Sequence, residues 1–336
     1  DRAGAAYVIF RDSSGTWSEQ GKLLASDGAA GDLFGRSVAV NGDTAVIGAR
    51  GDDDNGSNSG SAYVFVRNTS GMWSEQAKLL ASDGSGGELF GESVAVNGDT
   101  AVTGARFDDD KGRNSGSVYV YVRDISGTWS EQGKLIASDG AAYDYFGTSV
   151  TVDGDTVVIG AEGDDDKGSN SGSAYVFVRG SSGTWSEQGK LIASDGGPYN
   201  AFGYSVAVDQ DTAVIGAWLD NDNGSSSGSA YVFVRNTSGM WSEQAKLLAS
   251  DGAALDFFGV SVAVDRDTAV IGAEGDDHDD ISNWVATGSA YIFVRDANDT
   301  WSQKDKLRGS DPSSDSIFGH SVAMNGDVVL IGADRD

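Results

Sequence analysis

The sequence has no cysteine, only two prolines and only two histidines in 336 residues. Without cysteine there is no disulfide framework, no thiolate nucleophile and no thiolate metal site. That usage leans towards an exterior protein whose large core needs no cross-links, because cytosolic chains usually keep some thiols. The histidines, His278 and His320, are far apart in the chain, so no Ser-His-Asp set or zinc site assembles from them. Scarce proline excludes proline-rich linkers. No apolar run reaches the roughly 18 residues that a membrane-spanning helix needs, and no segment resembles a signal peptide. No stretch keeps a helical period over ten residues. Basic residues are also few: 23 Lys and Arg against 51 Asp and Glu give a net charge of -28. A phosphate-rich partner or an anionic membrane surface needs the opposite sign, which argues against nucleic acid and membrane insertion. The charge suits a soluble particle that binds cations or works in a salty exterior.

What is present is repetition. Glycine is abundant at 48 residues, and 39% apolar content is ordinary for a folded chain. The pair Phe34-Gly35 returns at Phe90-Gly91, Phe146-Gly147, Phe202-Gly203, Phe258-Gly259 and Phe318-Gly319, spaced by 56 residues four times and then by 60. Each unit reads as four short strands. Strand A is Phe-Gly-x-Ser-Val-Ala-Val and strand B is Asp-Thr-Ala-Val-Ile-Gly-Ala. Strand C is Gly-Ser-Ala-Tyr-Val-Phe-Val, apolar on both faces as in a covered strand. Strand D is Trp-Ser-Glu-Gln-x-Lys-Leu-Leu, whose Glu and Lys suit an outer edge and discourage stray pairing. Asn41-Gly42 joins A to B as a hairpin turn. Four antiparallel strands per roughly 56 residues specify an all-β chain, a six-bladed β-propeller, rather than a parallel β-helix with its far shorter repeat. The chain begins with a C and a D strand and finishes with an A and a B strand. A composite sixth blade is therefore expected, closing one domain over residues 1–336 and bringing Asp1 near Asp336.

These motifs resemble the FG-GAP repeat, the propeller repeat of integrin α subunits, and most closely its bacterial-type variant with Ala-Ser-Asp-Gly before the Phe-Gly. The resemblance runs along the whole chain. It implies an extracellular or cell-surface adhesion or ligand-binding propeller, often with calcium. In integrins the calcium loop joins strands A and B. Here that link is only Asn41-Gly42-Asp43 and its counterparts, too short to wrap an ion, so the family's site does not carry over.

Acid gathers instead between strands B and C, at Asp52, Asp53 and Asp54, Asp108–Asp110, Asp164–Asp166, Asp220 and Asp222, and Asp276 and Asp277. A second acidic loop joins D to the next A, with Asp27 and Asp32, Asp83 and Glu88, Asp139 and Asp144, Asp251 and Asp256. Strand alternation puts both loops on one face. Such crowded carboxylates repel unless a cation intervenes or water screens them. Calcium is the expected cofactor, with Asp52, Asp54, Asp108, Asp110, Asp164, Asp166, Asp220, Asp222, Asp276 and Asp277 as its candidate ligands. A solvated acidic loop whose Asp and Asn residues merely favour turns is the alternative.

Six tryptophans at 17, 73, 129, 185, 241 and 301 open strand D and read as structural, each worth at most about 4–6 kcal/mol if fully buried. The repeated Phe is expected to pack between neighbouring blades. Trp218, Trp284, Tyr143 and Tyr199 stand outside the repeat on the acidic face and are candidate ligand-binding aromatics. Trp284 lies in the lengthened loop Gly275–Gly288. Arg50-Gly51-Asp52 spells an adhesion tripeptide, but the third unit has Glu162-Gly163-Asp164 there, which marks a coincidence. Asn68, Asn236 and Asn298 head glycosylation sequons on the opposite face. The leading expectation is a non-enzymatic, extracellular, calcium-dependent module, monomeric or part of a larger surface assembly, binding a protein through its acidic loops. A calcium-dependent lectin or a purely structural domain of a surface protein or filament are the alternatives.

Overall fold

The computed structural model describes residues 3–12, 14–277, 287–310 and 317–333. The described residues are all strand, turn and loop. They divide into two compact units, 1–155 with 179–185, and 156–178 with 186–336.

The first unit holds β1 (Ala6–Arg11) and β2 (Trp17–Leu23), then the first repeat, β3 (Val38–Asn41), β4 (Thr44–Ala49), β5 (Ser61–Arg67) and β6 (Trp73–Leu79). The second repeat follows as β7 (Ser93–Asn97), β8 (Thr100–Ala105), β9 (Ser117–Arg123) and β10 (Trp129–Leu135), and then β11 (Phe146–Asp153). Each complete repeat is one antiparallel sheet in chain order, β3-β4-β5-β6 and β7-β8-β9-β10. The third repeat continues with β12 (Thr156–Ala161), β13 (Ser173–Arg179) and β14 (Trp185–Leu191), and the division between the units runs through it. In the second unit, β15 (Phe202–Asp209) to β18 (Trp241–Leu247), by way of β16 (Thr212–Ala217) and β17 (Ser229–Arg235), form the fourth sheet. The fifth comprises β19 (Phe258–Asp265), β20 (Thr268–Ala273), β21 (Ser289–Arg295) and β22 (Trp301–Leu307). The repeat pattern is completed by two halves at the ends of the sequence: β23 (Phe318–Asn325) and β24 (Val328–Ala333) are an A and a B strand, and β1 and β2 a C and a D strand. Each half is a two-stranded sheet. Asp1 and Asp336 lie outside the described residues.

Burial explains the strand sequences. Strand B is buried at every residue in the first four repeats, which is why it reads as an unbroken apolar run. Phe90 packs edge-on against Tyr119 at 5.4 Å in its own repeat. It also belongs to a core cluster with Val64, Leu79 and Ala81 of the preceding repeat, so the Phe does join neighbouring sheets. The Gly beside it is sterically required: a Cβ on Gly91 would lie 2.2 Å from the Ser61 carbonyl oxygen of the preceding repeat.

Strand D lies at the edge of each four-stranded sheet, as expected, and its side chains refine two readings. Its polar residues reach the adjoining repeats rather than guarding a free edge. Trp129 Nε1 donates to Gln76 Oε1 at 2.8 Å, and Trp73, Trp241 and Trp301 bond Gln20, Gln188 and Gln244 in the same way. Glu75 accepts from Ser26 N and Oγ at 2.8 and 2.9 Å, and Glu131 and Glu243 repeat this with Ser82 and Ser194. The tryptophans are not uniformly buried either. Trp301 is 9% exposed, but Trp17 is 55% exposed, so the full-burial figure is an upper bound that most of them do not reach.

Candidate functional site

Sheet register builds the acidic loops. In the β5–β6 pair the register shifts between Val64 and Phe65, leaving Gln76 as a bulged residue, and this slip puts Lys78 directly opposite Tyr63. The same bulge pairs Tyr119 with Lys134, Tyr231 with Lys246 and Tyr291 with Lys306. Each ammonium lies over the tyrosine ring, at 5.2 Å for Lys78 and 5.1 Å for Lys134. From there it reaches both acidic loops.

Lys78 Nζ lies 2.7 Å from Asp27, 2.9 Å from Asp52 and 2.7 Å from Asp54. Lys134 lies 2.9, 2.8 and 2.7 Å from Asp83, Asp108 and Asp110. Lys246 lies 2.7, 2.9 and 2.6 Å from Asp195, Asp220 and Asp222. Lys190 holds Asp164 and Asp166 at 2.7 Å each, and Lys306 holds Asp251 and Asp276 at 2.7 and 2.5 Å. The tyrosine hydroxyl completes the set: Tyr63 Oη lies 2.7 Å from Asp27 Oδ1 and 3.0 Å from Asp52 Oδ2. The central Asp of the first five repeats is buried, and in the first four its remaining oxygen accepts a loop amide, as Asp108 Oδ1 does from Asp110 N at 2.9 Å. A buried charge is tolerated when paired and hydrogen-bonded in this way.

The titration of these groups follows. Burial opposes the charge on Lys78, Lys134 and Lys246, but the bonds to three carboxylates outweigh it and raise all three above the ordinary lysine value. The Lys78 bond and then the Tyr63 hydroxyl hold Asp27 below the ordinary carboxylate value. Asp83, Asp195 and Asp251 are lowered by their lysines and tyrosines against the pull of burial. Burial first, then the facing carboxylates, raises Tyr63, Tyr119, Tyr231 and Tyr291.

Nine of the ten expected calcium ligands are therefore gathered around lysines. Asp277 takes the place of Asp53, outside the set. Calcium needs six to eight oxygens. The centre of each set already holds an ammonium, so the residues as arranged do not fit the ion there. Sequence reading missed the lysine because a Lys on an edge strand looks solvated. Its return at the same place in every repeat, always with a Tyr on strand C, was the available signal.

The rest of the face differs between repeats. Three positions vary: the residue after strand B (Arg50, Arg106, Glu162, Trp218, Glu274), the residue after Phe-Gly (Arg36, Glu92, Thr148, Tyr204, Val260, His320) and the residue before it (Leu33, Leu89, Tyr145, Ala201, Phe257, Ile317). The fold brings them together. In the first unit a cavity of about 380 Å³ is lined by Leu33, Arg50, Asn58, Leu89, Arg106 and Phe107, among others. Arg50 Nη1 pairs with Glu92 at 2.6 Å, and the Arg106 guanidinium lies 5.0 Å from the Phe107 ring and 4.9 Å from the Tyr145 ring. Leu33 and Leu89 have φ of 59° and 56°, a left-handed backbone that leucine rarely adopts. In the second unit Trp218 packs between Tyr204 and Phe257, at 4.9 and 5.3 Å, and its indole N–H is buried without a hydrogen bond. His320 Nδ1 lies 2.5 Å from Glu274. Tyr143 is 44% exposed and Tyr199 60%, so both are available to a ligand. Trp284 and His278 lie outside the described residues. The Arg50-Gly51-Asp52 triplet is not presented as a motif, since Arg50 is paired with Glu92 and Asp52 with Lys78.

Comparison with known proteins agrees with this architecture. The model of the FG-GAP repeat matches residues 17–65, 73–121, 129–177, 185–233, 241–293 and 301–336. Curated proteins give no match. Among solved structures, the crystal structure of a protein from Lactobacillus plantarum is similar, with a TM-score of 0.54 and 13% identity over 90% of this chain and 77% of that one. At that identity the likeness speaks for the fold. The six matched repeats, the four-stranded sheets and the two terminal halves establish that the chain is a β-propeller belonging to the FG-GAP repeat family.

Proposed function

We propose that the chain is a non-enzymatic interaction module, displayed outside the cell or on its surface, that binds a protein ligand through the face made by its B–C and D–A loops. The observation that carries this reading is where the repeats differ. The strands are near copies of one another, while the three variable positions converge around the cavity in the first unit and the Trp218 stack in the second. Blade packing does not require Arg106 at one such position and Trp218 at another, so the divergence fits recognition. The charge of -28 and the lack of cysteine support an exterior setting. A carbohydrate ligand is the second reading, favoured by the exposed rings of Tyr143 and Tyr199, since such rings stack on sugars.

The test is a binding screen of the immobilised protein against arrayed glycans and extracellular proteins. The hit should weaken at least tenfold in Arg106→Gln and Tyr143→Ala and be unchanged in Ser126→Ala, on a C–D turn. Equal binding by all variants would remove the loop face from the account. A hit confined to glycans would select the second reading, and no hit on either array would favour a purely structural domain.

A further inference from the structure

We infer that the cation of each acidic loop pair is the chain's own lysine, standing where a divalent metal would otherwise bind, so that these loops are ordered without calcium. Three observations carry this beyond the proposed binding role and independently of it. First, the arrangement recurs. Five lysines, Lys78, Lys134, Lys190, Lys246 and Lys306, each meet the central Asp of a B–C loop, and Lys78, Lys134, Lys246 and Lys306 meet an Asp of the D–A loop as well. Second, the donor count closes. An ammonium has three N–H groups, and around Lys78, Lys134 and Lys246 there are three carboxylate oxygens at 2.6–2.9 Å, one for each. The tyrosine ring then covers the ammonium. Third, position is enforced by the fold rather than by side-chain reach, because the Gln76-type bulge sets the Lys–Tyr register.

The substitution has a chemical logic. Calcium and an ammonium both answer carboxylate crowding, but they differ in charge and in supply. The lysine brings one positive charge to three carboxylates, leaving the set at -2. It is tethered, so no free concentration governs its occupancy, and a chelator does not remove it. Taking the ammonium away would leave three converging carboxylates, oxygen donors of the kind a hard divalent cation takes.

The experiment compares wild type with Lys134→Met and Lys134→Arg, following thermal melting in chelator, in millimolar calcium and in millimolar magnesium at fixed ionic strength, with terbium luminescence as a direct probe of ion binding. Wild type is expected to melt at the same temperature in chelator and in calcium, apart from any shift that magnesium produces equally, and to show no stoichiometric terbium site. Lys134→Met is expected to melt below wild type in chelator, to recover in large part with calcium but not with magnesium, and to gain one terbium site. Lys134→Arg keeps the charge and should stay silent to both ions. A calcium-specific rise in the wild-type melting temperature would overturn the inference, and that arm decides even if Lys134→Met fails to fold. Equal calcium responses from the Met and Arg variants would also overturn it, because charge would then not be what excludes the metal.

Discussion

Asp256 is the residue on which the acidity of this face bears hardest. It is 4% exposed, and burial pushes its carboxyl up to about 6, with Asp276 and Asp277 adding to the rise against the bond from the Ala253 amide. A raised folded pKa means that the neutral form is favoured by folding. The contribution is fully present below the ordinary carboxylate value near 3.8 and is lost as pH rises through about 6. The fourth repeat carries Asn200 at the same position. Asp256→Asn should therefore raise stability at pH 7 by about 1–3 kcal/mol and flatten its dependence on pH between 4 and 6. Denaturant melts at several pH values check this, and a loss of stability at pH 7 would refute it. Arg266 is a second residue out of step with its repeat. It takes φ 52° in the A–B turn, where four other repeats have Gly, and its side chain makes only a loose 3.7 Å approach to Asp265. Arg266→Gly should gain up to about 1 kcal/mol by removing left-handed strain, measured as an upward shift in the denaturation midpoint.

At the scale of strands and sheets, the D strand is what neighbouring repeats share. Trp129 donates to Gln76, lies under the Arg123 guanidinium at 5.2 Å and borders the cluster around Phe90. A double-mutant cycle on Trp129→Phe and Gln76→Ala should give single costs and a coupling of about 0.5–1.5 kcal/mol; a coupling near zero would show that the bond contributes only shape. This layer marks the limit of what the sequence discloses. The Phe-Gly period, the Asn41-Gly42 hairpin and the doubly apolar B and C strands were legible because each is a local pattern that only one kind of sheet satisfies. The gathering of Asp27 and Asp52 on one face was legible from strand alternation. Lys78 was not, because its partners lie 26 and 51 residues away and a one-residue bulge decides which way it points. The Gln76–Trp129 bond was hidden for the same reason.

For the molecule as a whole, net charge and paired carboxylates pull in opposite directions as pH falls. The lowered Asp27, Asp83, Asp195 and Asp251 contribute stability that is present above the ordinary carboxylate value and lost as pH drops through their folded values, below about 4. The raised Asp256 and Glu88 act the other way, and protonation also relieves the repulsion within a chain of charge -28. Stability should then peak in mildly acidic solution, between about pH 4 and 6, and fall steeply below. Added salt at pH 7 should raise the melting temperature, since it screens the dispersed negative charge more than the partly buried Lys–Asp sets. A melting temperature that falls with salt would show that the ion pairs outweigh the repulsion.

The clamps between strand D of one repeat and its neighbours have a consequence for how the chain reaches its fold. The Trp–Gln bonds within each unit span 53 or 57 residues, and the Ser–Glu bonds 49. Each of these docking steps between consecutive repeats thus closes a loop of nearly the same length, and loop-closure cost grows only slowly with length. Assembly can start at any neighbouring pair of repeats and spread outwards one repeat at a time, at a speed set by the single step rather than by the total number of residues.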